Sequence, residues 1–197
     1  FIVEDDPYGD LRYEGEDLAP LFAMAAPPNG QGGFEGNFLY TGTFSKTLSP
    51  GLRLGWLVGP AEVMAKLAQA KQGVDLHTST FTQMIAAQVL EDDFLTRHVR
   101  HIRALYRERR DVMLAALAEH FPPGVTWTRP QGGLFLWVTL PPAVDAEQLL
   151  RVAIQGKVAF VPGDSFFADG SGKNTLRLNF SNASPQKIGE GIQRLGQ

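Results

Sequence analysis

The segment Thr-Phe-Ser-Lys-Thr-Leu-Ser-Pro-Gly-Leu-Arg at 43–53 combines residue types that can do chemistry on a carbonyl compound. Its lysine, Lys46, has no other charged residue from position 36 to position 52 and lies between two apolar stretches. A lysine withdrawn from water has a lowered pKa and becomes nucleophilic toward carbonyl groups. The nearby hydroxyls and Arg53 offer the neutral donors and the planar charged fork that a phosphate monoester needs. This combination indicates pyridoxal phosphate, although spacing alone equally allows a loop lysine followed by a turn at 49–51.

The wider segment 42–55 resembles the Schiff-base segment of the fold-type-I, class I/II aminotransferases, enzymes that use pyridoxal 5'-phosphate (PLP). Three further motifs follow the chain order of that family: Asp-x-x-Tyr at 5–8, Gln-Gly-Gly-Leu-Phe at 131–135 and Asn-Thr-Leu-Arg-Leu-Asn at 174–179. Asp-Leu-His-Thr-Ser at 75–79 and Val-Pro-Gly-Asp-Ser-Phe at 161–166 are most similar to the branch of 2-aminoadipate and multisubstrate aminotransferases. The resemblance covers essentially the whole chain, and it is specific for the superfamily rather than for the substrate.

The resemblance implies a role for each residue around the reacting end of the cofactor. Lys46 holds PLP as an internal aldimine and, once displaced by an amino acid, carries the proton between Cα and the cofactor. Asp5, at a strand end, is expected to be a buried carboxylate that keeps the pyridine nitrogen protonated, and Tyr8 bonds the 3-hydroxyl. Asp6 is the competitor of Asp5 but has the wrong spacing to Tyr8. Read without the resemblance, residues 4–7 are a polar turn after a strand.

The resemblance also implies two sets of anion contacts. The cofactor phosphate is bound by Thr43, Ser45 and Arg53, and the substrate α-carboxylate is bound by Arg177. An unpaired guanidinium in an apolar strand is unfavourable to bury, and a bidentate carboxylate would relieve that penalty. The alternative is an arginine on the solvent side of an alternating strand, with Leu176 and Leu178 on the other face.

Composition limits the remaining classes of function. A net charge of −3 does not indicate the basic surface that nucleic-acid binding requires. The arginines between 97 and 110 have helical spacing, which favours a solvated helix face. Cysteine is absent and the four histidines lack a metal spacing, so we expect no metal. No signal peptide or long apolar run is visible, so we expect no membrane partner and a cytoplasmic location.

Hydrophobic patterning and turn residues predict the elements. In the first half we expect buried strands at 1–3, 38–41 and 54–58. An irregular connection is expected at 20–36. Helices are expected at 61–72, where Gly73 ends the helix, at 80–90 and at 93–120. In the second half we expect strands at 125–128, 134–139, 158–161 and 176–180. Helices are expected at 146–155 and at 185–195, the latter capped by Ser184.

The fold class is therefore α/β. By resemblance, residues 1–105 form the C-terminal part of the PLP-binding large domain, a mostly parallel sheet with helices, and residues 106–197 form a small α+β domain. The chain opens inside an apolar run without Met, so we expect it to be the C-terminal half of a longer protein.

The leading functional hypothesis is an aminotransferase that moves an α-amino group to a 2-oxo acid such as 2-oxoglutarate. The expected donors are 2-aminoadipate and amino acids with aromatic or branched apolar side chains. The resemblance further implies a homodimer, with residues 76–79 as a contribution across the interface. The alternatives are an aminotransferase-like sensor domain of a winged-helix transcriptional regulator and, third, a carbon–sulfur lyase on the same scaffold.

Overall fold

The computed structural model describes residues 1–25 and 37–197 and divides into two compact units, Phe1–Ile102 and Arg103–Gln197. The boundary falls inside the longest helix, α4, which runs from Phe94 to His120. We call these the first and the second unit and describe each by itself.

The first unit contains a three-stranded sheet of order β1-β2-β3, formed by β1 (Ile2–Asp5), β2 (Phe38–Thr43) and β3 (Gly55–Val58). β1 pairs with β2 in parallel, whereas β2 and β3 are antiparallel. The sheet is therefore mixed, and the expectation of a mostly parallel sheet holds for only one of the two pairings. The three strands occur where apolar runs predicted them, but β1 and β3 are exposed rather than buried.

In the described residues, the first unit also contains the start of α4 and the complete α-helices α1 (Leu21–Ala25), α2 (Ala61–Val74) and α3 (Thr80–Leu90). α1 corrects the prediction of an irregular connection at 20–36, of which residues 26–36 lie outside the described residues. Helix α2 continues through Gly73, which was predicted to end it, because the backbone N–H of Asp75 still bonds to the carbonyl of Lys71. The predicted helix at 80–90 agrees with α3, where the Ser79 hydroxyl accepts from the Thr82 N–H.

The second unit contains a four-stranded sheet of order β4-β5-β7-β6, in which every pairing is antiparallel. Its strands are β4 (Thr126–Trp127), β5 (Phe135–Thr139), β6 (Val161–Pro162) and β7 (Thr175–Asn179). Alternate residues of β5 and β7 form the core face of the sheet, and the fully buried ones are Leu136, Val138 and Leu176. The intervening residues, among them Trp137 and Arg177, lie on the opposite face in direct register.

Helices α5 (Ala146–Gln155) and α6 (Pro185–Leu195) agree with their predicted bounds because local signals specify both ends. The Asp145 carboxylate accepts from two backbone N–H groups at the start of α5, and the Ser184 hydroxyl caps α6, whose first residue is proline. The predicted strand at 158–161 is wrong for most of its length. Lys157 has φ of 60°, and the N–H of Val158 bonds back to Ala153, so a turn at 156–157 ends α5; residues 158–160 have no regular structure, and the strand is Val161–Pro162.

None of the helices in the described parts of the chain combines the length and the apolar character that a membrane span requires. Residues 1–25 and 37–197 also contain no group of three or more side chains suited to hold a metal ion.

Candidate functional site: a lysine loop and an arginine strand

Parallel pairing brings two of the predicted site segments to one edge of the first unit's sheet. β1 ends at Asp5 and β2 ends at Thr43, and Asp5 is directly opposite Thr41 in the parallel register. The loop that carries Lys46 follows β2 immediately. The carboxyl ends of parallel strands meet at one edge, which is where ligands bind in open α/β sheets.

The two neighbouring aspartates make different contacts. The Thr41 hydroxyl donates to Asp5 Oδ1 at 2.5 Å, and the second oxygen of Asp5 has no hydrogen bond within the residues described. Asp6 instead accepts from the Gly9 N–H at 2.6 Å and from the Tyr40 hydroxyl at 3.5 Å, so it holds the turn that follows β1. Asp5 is exposed in the structure, whereas the resemblance predicted a buried carboxylate, and its role toward a ring nitrogen stays a prediction.

Acidic residues and burial together shift the ionisation of Tyr40. Burial raises its pKa above the ordinary 10.0, and the charges of Asp6, Asp10 and Glu4 raise it further. The Glu4 carboxylate also accepts from the first two backbone N–H groups of α1, both at 2.9 Å. These contacts attach α1 to the sheet beside the aspartates, and Phe22 of α1 packs against the Tyr40 ring.

Lys46 is half-buried and points its amine toward Tyr8. Its Nζ lies 5.7 Å from the centre of the Tyr8 ring, within the range of a cation–π contact. In the described stretches of the chain, this amine makes no hydrogen bond and no ion pair. The amine is therefore directed at the phenol of the Asp-x-x-Tyr motif and is not neutralised by a carboxylate.

The hydroxyls before Lys46 form a compact cluster. Thr43 Oγ1 lies 2.9 Å from Ser45 Oγ and 2.9 Å from the carbonyl oxygen of Leu54, and it accepts from the Ser45 N–H at 3.1 Å. The structure thus brings Thr43 and Ser45 together and ties them to the end of the loop.

Arg53 makes no hydrogen bond to these hydroxyls in the described residues. Within residues 1–25 and 37–197 its guanidinium bonds only to the carbonyl oxygen of Pro50, at 3.2 Å, and the residue is exposed. Its backbone is left-handed, with φ of 54°. A non-glycine residue in this conformation is strained, and such strain clusters at functional sites.

Close packing at the base of the loop depends on a glycine. A Cβ at Gly42 would lie 2.4 Å from the ring of Trp56, and this ring in turn packs against Phe44 at 4.7 Å between centres. The aromatic pair supports the first residue of the turn that carries Lys46.

The donor set of the loop fits a phosphorylated aldehyde. It offers an amine without a charged partner, two clustered hydroxyls and a guanidinium without a carboxylate partner in the described residues. An amine is what an aldehyde requires, and hydroxyls with a cationic fork suit a phosphate.

Arg177 lies in the second unit, on the sheet face opposite the core. Its guanidinium carbon is 4.2 Å from the centre of the Phe135 ring and 4.7 Å from that of Phe166. Its Nε is buried and has no hydrogen-bond partner, and the described residues supply no carboxylate to the guanidinium. Arg177 does lie on the sheet face opposite Leu176 and Leu178, as the alternative predicted. The alternative did not predict that two aromatic rings cover the guanidinium on that face.

A cavity of about 490 Å³ opens beside Arg177. Its charged lining residues are all cationic, namely Arg177, Lys157 and Lys187. Their summed positive charge favours an anionic ligand at this end of the sheet.

Sequence reasoning missed several of these contacts. The contact between Thr41 and Asp5 depends on the register of two strands, which the sequence does not show. Phe135 and Phe166 were noted only as the last residues of two motifs, and no role was predicted for them. Residues 76–79, expected at a dimer interface, contain an exposed Leu76 with φ of 68° and the Ser79 that caps α3.

Comparison with known proteins identifies the family. The family model described as aminotransferase class I and II matches residues 1–195. An aromatic-amino-acid aminotransferase from Thermococcus litoralis is 47% identical over the whole chain, which covers 45% of that protein. A 2-aminoadipate transaminase from Thermus thermophilus is 44% identical, again over the whole chain and 48% of the relative. An HTH-type transcriptional regulator from Bacillus subtilis is 37% identical over 98% of the chain and 38% of its own length.

Solved structures that match the chain also include aminotransferases. The structure of an α-aminoadipate aminotransferase from Thermus thermophilus, complexed with a phosphopyridoxyl-leucine compound, matches with a TM-score of 0.90 and 43% identity. That match covers 98% of this chain and 48% of the other. The chain thus spans about half the length of the relatives it matches. The family and the phosphopyridoxyl ligand indicate PLP as the cofactor, in agreement with the prediction. The resemblance drawn from the four motifs is confirmed: the chain belongs to the class I and II aminotransferases.

Proposed function

We propose that the protein is a PLP-dependent aminotransferase that transfers an α-amino group from an amino acid to a 2-oxo acid such as 2-oxoglutarate. The observation that carries this proposal is the unpaired Lys46 amine, directed at the Tyr8 ring from a loop that also bears clustered hydroxyls. Family membership supplies the reaction class, and these side chains supply the groups that the reaction needs.

Lys46 attaches the cofactor covalently and later moves a proton at the substrate Cα. When bound, PLP supplies the electron sink that makes removal of this proton possible. In the described segments no carboxylate lies within bonding distance of the amine, so no ion pair holds it away from a cofactor aldehyde. Its proposed roles are those of the nucleophile that binds the cofactor and of the base at the substrate Cα.

Asp5 and Tyr8 bind the two polar edges of the pyridine ring. The Thr41 hydroxyl occupies one oxygen of Asp5 and orients the carboxylate, leaving the other oxygen for a protonated ring nitrogen. Asp6 is the weaker candidate because its oxygens already accept from Gly9 and Tyr40.

Thr43, Ser45 and Arg53 bind the phosphate. The two hydroxyls lie within hydrogen-bond distance of each other, so one phosphate group can contact both. Arg53 lies at the end of the same loop, and its planar guanidinium can donate two parallel hydrogen bonds to a phosphate.

Arg177 binds the substrate carboxylate. Support comes from its buried and unpaired Nε and from the all-cationic charged lining of the adjoining cavity. We assign residues 1–105 to the large domain and 106–197 to the small domain, an assignment supported by the division into two compact units near that boundary.

The substrate class that we propose is 2-aminoadipate and amino acids with aromatic or branched apolar side chains. The names of the relatives support aromatic amino acids and 2-aminoadipate as donors. We also propose a homodimer in which residues 76–79 contribute to the partner's site, in line with the exposure of Leu76. The cytoplasmic location stays a prediction.

A sensor domain of a winged-helix regulator is the second candidate, and its support is the similarity to an HTH-type regulator. The two candidates differ in turnover. An aminotransferase releases a 2-oxo acid from each amino acid consumed, whereas a sensor binds specific DNA and responds to the amino acid without releasing product.

The test of the proposed function is covalent trapping of the cofactor in the full-length protein. Borohydride reduction followed by peptide mass mapping should find the phosphopyridoxyl group on the peptide that contains Lys46. Lys46→Arg keeps the charge but cannot form the linkage, so trapping should disappear. Lys66→Arg, an exposed lysine of α2, serves as the control and should trap normally. Trapped cofactor retained in Lys46→Arg contradicts the assignment.

A further inference from the structure

Two aromatic rings cover Arg177, and they come from different parts of the second unit. Phe135 is the first residue of β5, whereas Phe166 ends the short helical turn Asp164–Phe166. Both ring centres lie within 5 Å of the guanidinium carbon, at 4.2 and 4.7 Å, respectively. Distances of this size place the rings in contact with the cation.

Aromatic contact restricts the directions in which this guanidinium can donate hydrogen bonds. A guanidinium has its N–H groups in the plane, and a ring in cation–π contact leaves those groups available to a carboxylate. Rings also exclude water, and the attraction between the cation and an anion is stronger where water is excluded. A covered guanidinium thus recognises a carboxylate better than a solvated one.

Phe166 is itself held in place by the sheet. Its ring packs edge-on against Trp137 at 5.4 Å, and Trp137 is directly opposite Arg177 in the β5–β7 register. The turn that carries Phe166 is tied to β7 because the Gly163 N–H donates to the Thr175 carbonyl at 2.8 Å. Two independent contacts therefore fix the ring over the arginine.

Phe166 contacts the arginine without being part of the core of the second unit. The residue is 48% exposed, so it does not complete the core in the described residues, yet it occupies the position over a buried and unpaired Nε. The next residue, Phe167, has a similar exposure of 40% and touches Trp137, but it is not in contact with the guanidinium. Phe166 and Phe167 are therefore suitable for comparison by mutation, because they are adjacent and similarly exposed.

We propose that Phe166 is a positioning residue that orients the Arg177 fork toward the substrate carboxylate. This inference rests on the proposed function, in which Arg177 binds that carboxylate. Phe166 acts through the arginine and not through the cofactor, so it affects ligands that carry a carboxylate and leaves other ligands unaffected.

The experiment uses the full-length holoenzyme and two probes that differ in one group. The first probe is 3-phenylpropanoate, which has a carboxylate and no amine, and the second is 2-phenylethylamine, which has the amine and no carboxylate. Calorimetry measures both dissociation constants, and steady-state kinetics separates KM from kcat for phenylalanine. Phe166→Leu should raise the dissociation constant of the carboxylate about 3- to 12-fold, the cost of immobilising on binding a side chain that the ring no longer orients. KM should rise with it, while kcat and amine binding stay within about twofold, a change too small to be a lost contact.

Three further variants provide the controls. Phe166→Tyr should restore carboxylate binding because it retains the ring, and Phe167→Leu should leave carboxylate binding unchanged. In an Arg177→Ala background, Phe166→Leu should have no further effect, because the partner through which it acts is gone. Phe166→Met removes the ring at similar volume and replaces the leucine variant if that variant does not fold.

The possible failures are distinguishable. If Arg177→Ala weakens carboxylate binding and neither ring-removing variant does, the positioning role is wrong and the proposed function stands. If Arg177→Ala leaves carboxylate binding unchanged, the proposed role of Arg177 fails, and the inference fails with it. If Phe166→Leu weakens both probes equally, the ring contacts the ligand's own phenyl group and the inference is overturned.

Discussion

Replacing Arg177 by lysine tests whether a fork, and not merely a charge, is needed at this position. Lysine retains the positive charge but offers a point ammonium instead of two parallel donors. At least one of the two charge-assisted hydrogen bonds to the carboxylate is then lost, and each is worth about 1.5–3 kcal/mol. Since 1.36 kcal/mol corresponds to a factor of ten, kcat/KM should fall about 10- to 150-fold. The cover of Phe135 and Phe166 adds to this loss because an ammonium stacks less well than a guanidinium.

The assay is steady-state kinetics of the full-length protein with phenylalanine or 2-aminoadipate and 2-oxoglutarate. Arg151→Lys is the matched control: Arg151 is an exposed arginine of α5 that pairs with Glu147, and its replacement should leave kcat/KM unchanged. Covalent cofactor trapping should be normal in both variants, which separates substrate binding from cofactor binding. A loss below about threefold for Arg177→Lys would refute the bidentate role, because it is smaller than one charge-assisted hydrogen bond.

Two other predictions concern stability and ionisation. Gly163→Ala should lower the free energy of unfolding by about 1–3 kcal/mol in urea titrations, since its Cβ would lie 1.9 Å from Thr175 Oγ1. Gly189→Ala, in α6 with nothing within 4 Å, should be neutral or stabilising, and equal losses in the two variants would contradict the steric argument. Tyr40 should titrate above its ordinary pKa of 10.0 in near-ultraviolet absorbance, and Tyr40→Phe should remove that late transition. Because folding raises this pKa, the associated stability is present below pH 10.0 and is lost as the pH rises through the folded-state pKa. A tyrosine titration that is identical in the folded and the unfolded protein would contradict it.

The elements with strong local signals agree best with their predictions. Helices α3 and α5 have the predicted bounds, and Ser79 and Asp145 cap them through their own side chains. The predicted bounds are wrong where the backbone hydrogen bonds or turns of the structure differ from what a residue type alone suggests. Gly73 does not end α2, because the bond from Asp75 to Lys71 extends the helix. The strand at 158–161 shrinks to Val161–Pro162 because Lys157 turns the chain.

The exposure of β1 and β3 differs from prediction for a different reason. An apolar run predicts that a strand can be buried, but it does not tell which segment buries it. In the described residues of the first unit, Val3 remains 62% exposed, because pairing of β1 with β2 joins backbones and does not cover the face from which the side chain projects.

For the candidate site, the sequence by itself determined the chemical inventory. Lys46, the hydroxyls of Thr43 and Ser45, and Arg53 lie within eleven consecutive residues, so their types and spacing were readable without a fold. Four ordered motifs were enough to predict the family and the cofactor, because each motif is a local pattern.

Only the tertiary structure decided which partners these groups have. Thr41 meets Asp5 across 36 positions of chain through a parallel register, and Phe166 covers Arg177 because a turn packs back onto β7. Such contacts depend on pairing and burial energies summed over distant segments, which no short window of sequence contains. The residue types of the candidate site can therefore be read from the sequence, and their contacts follow from the fold.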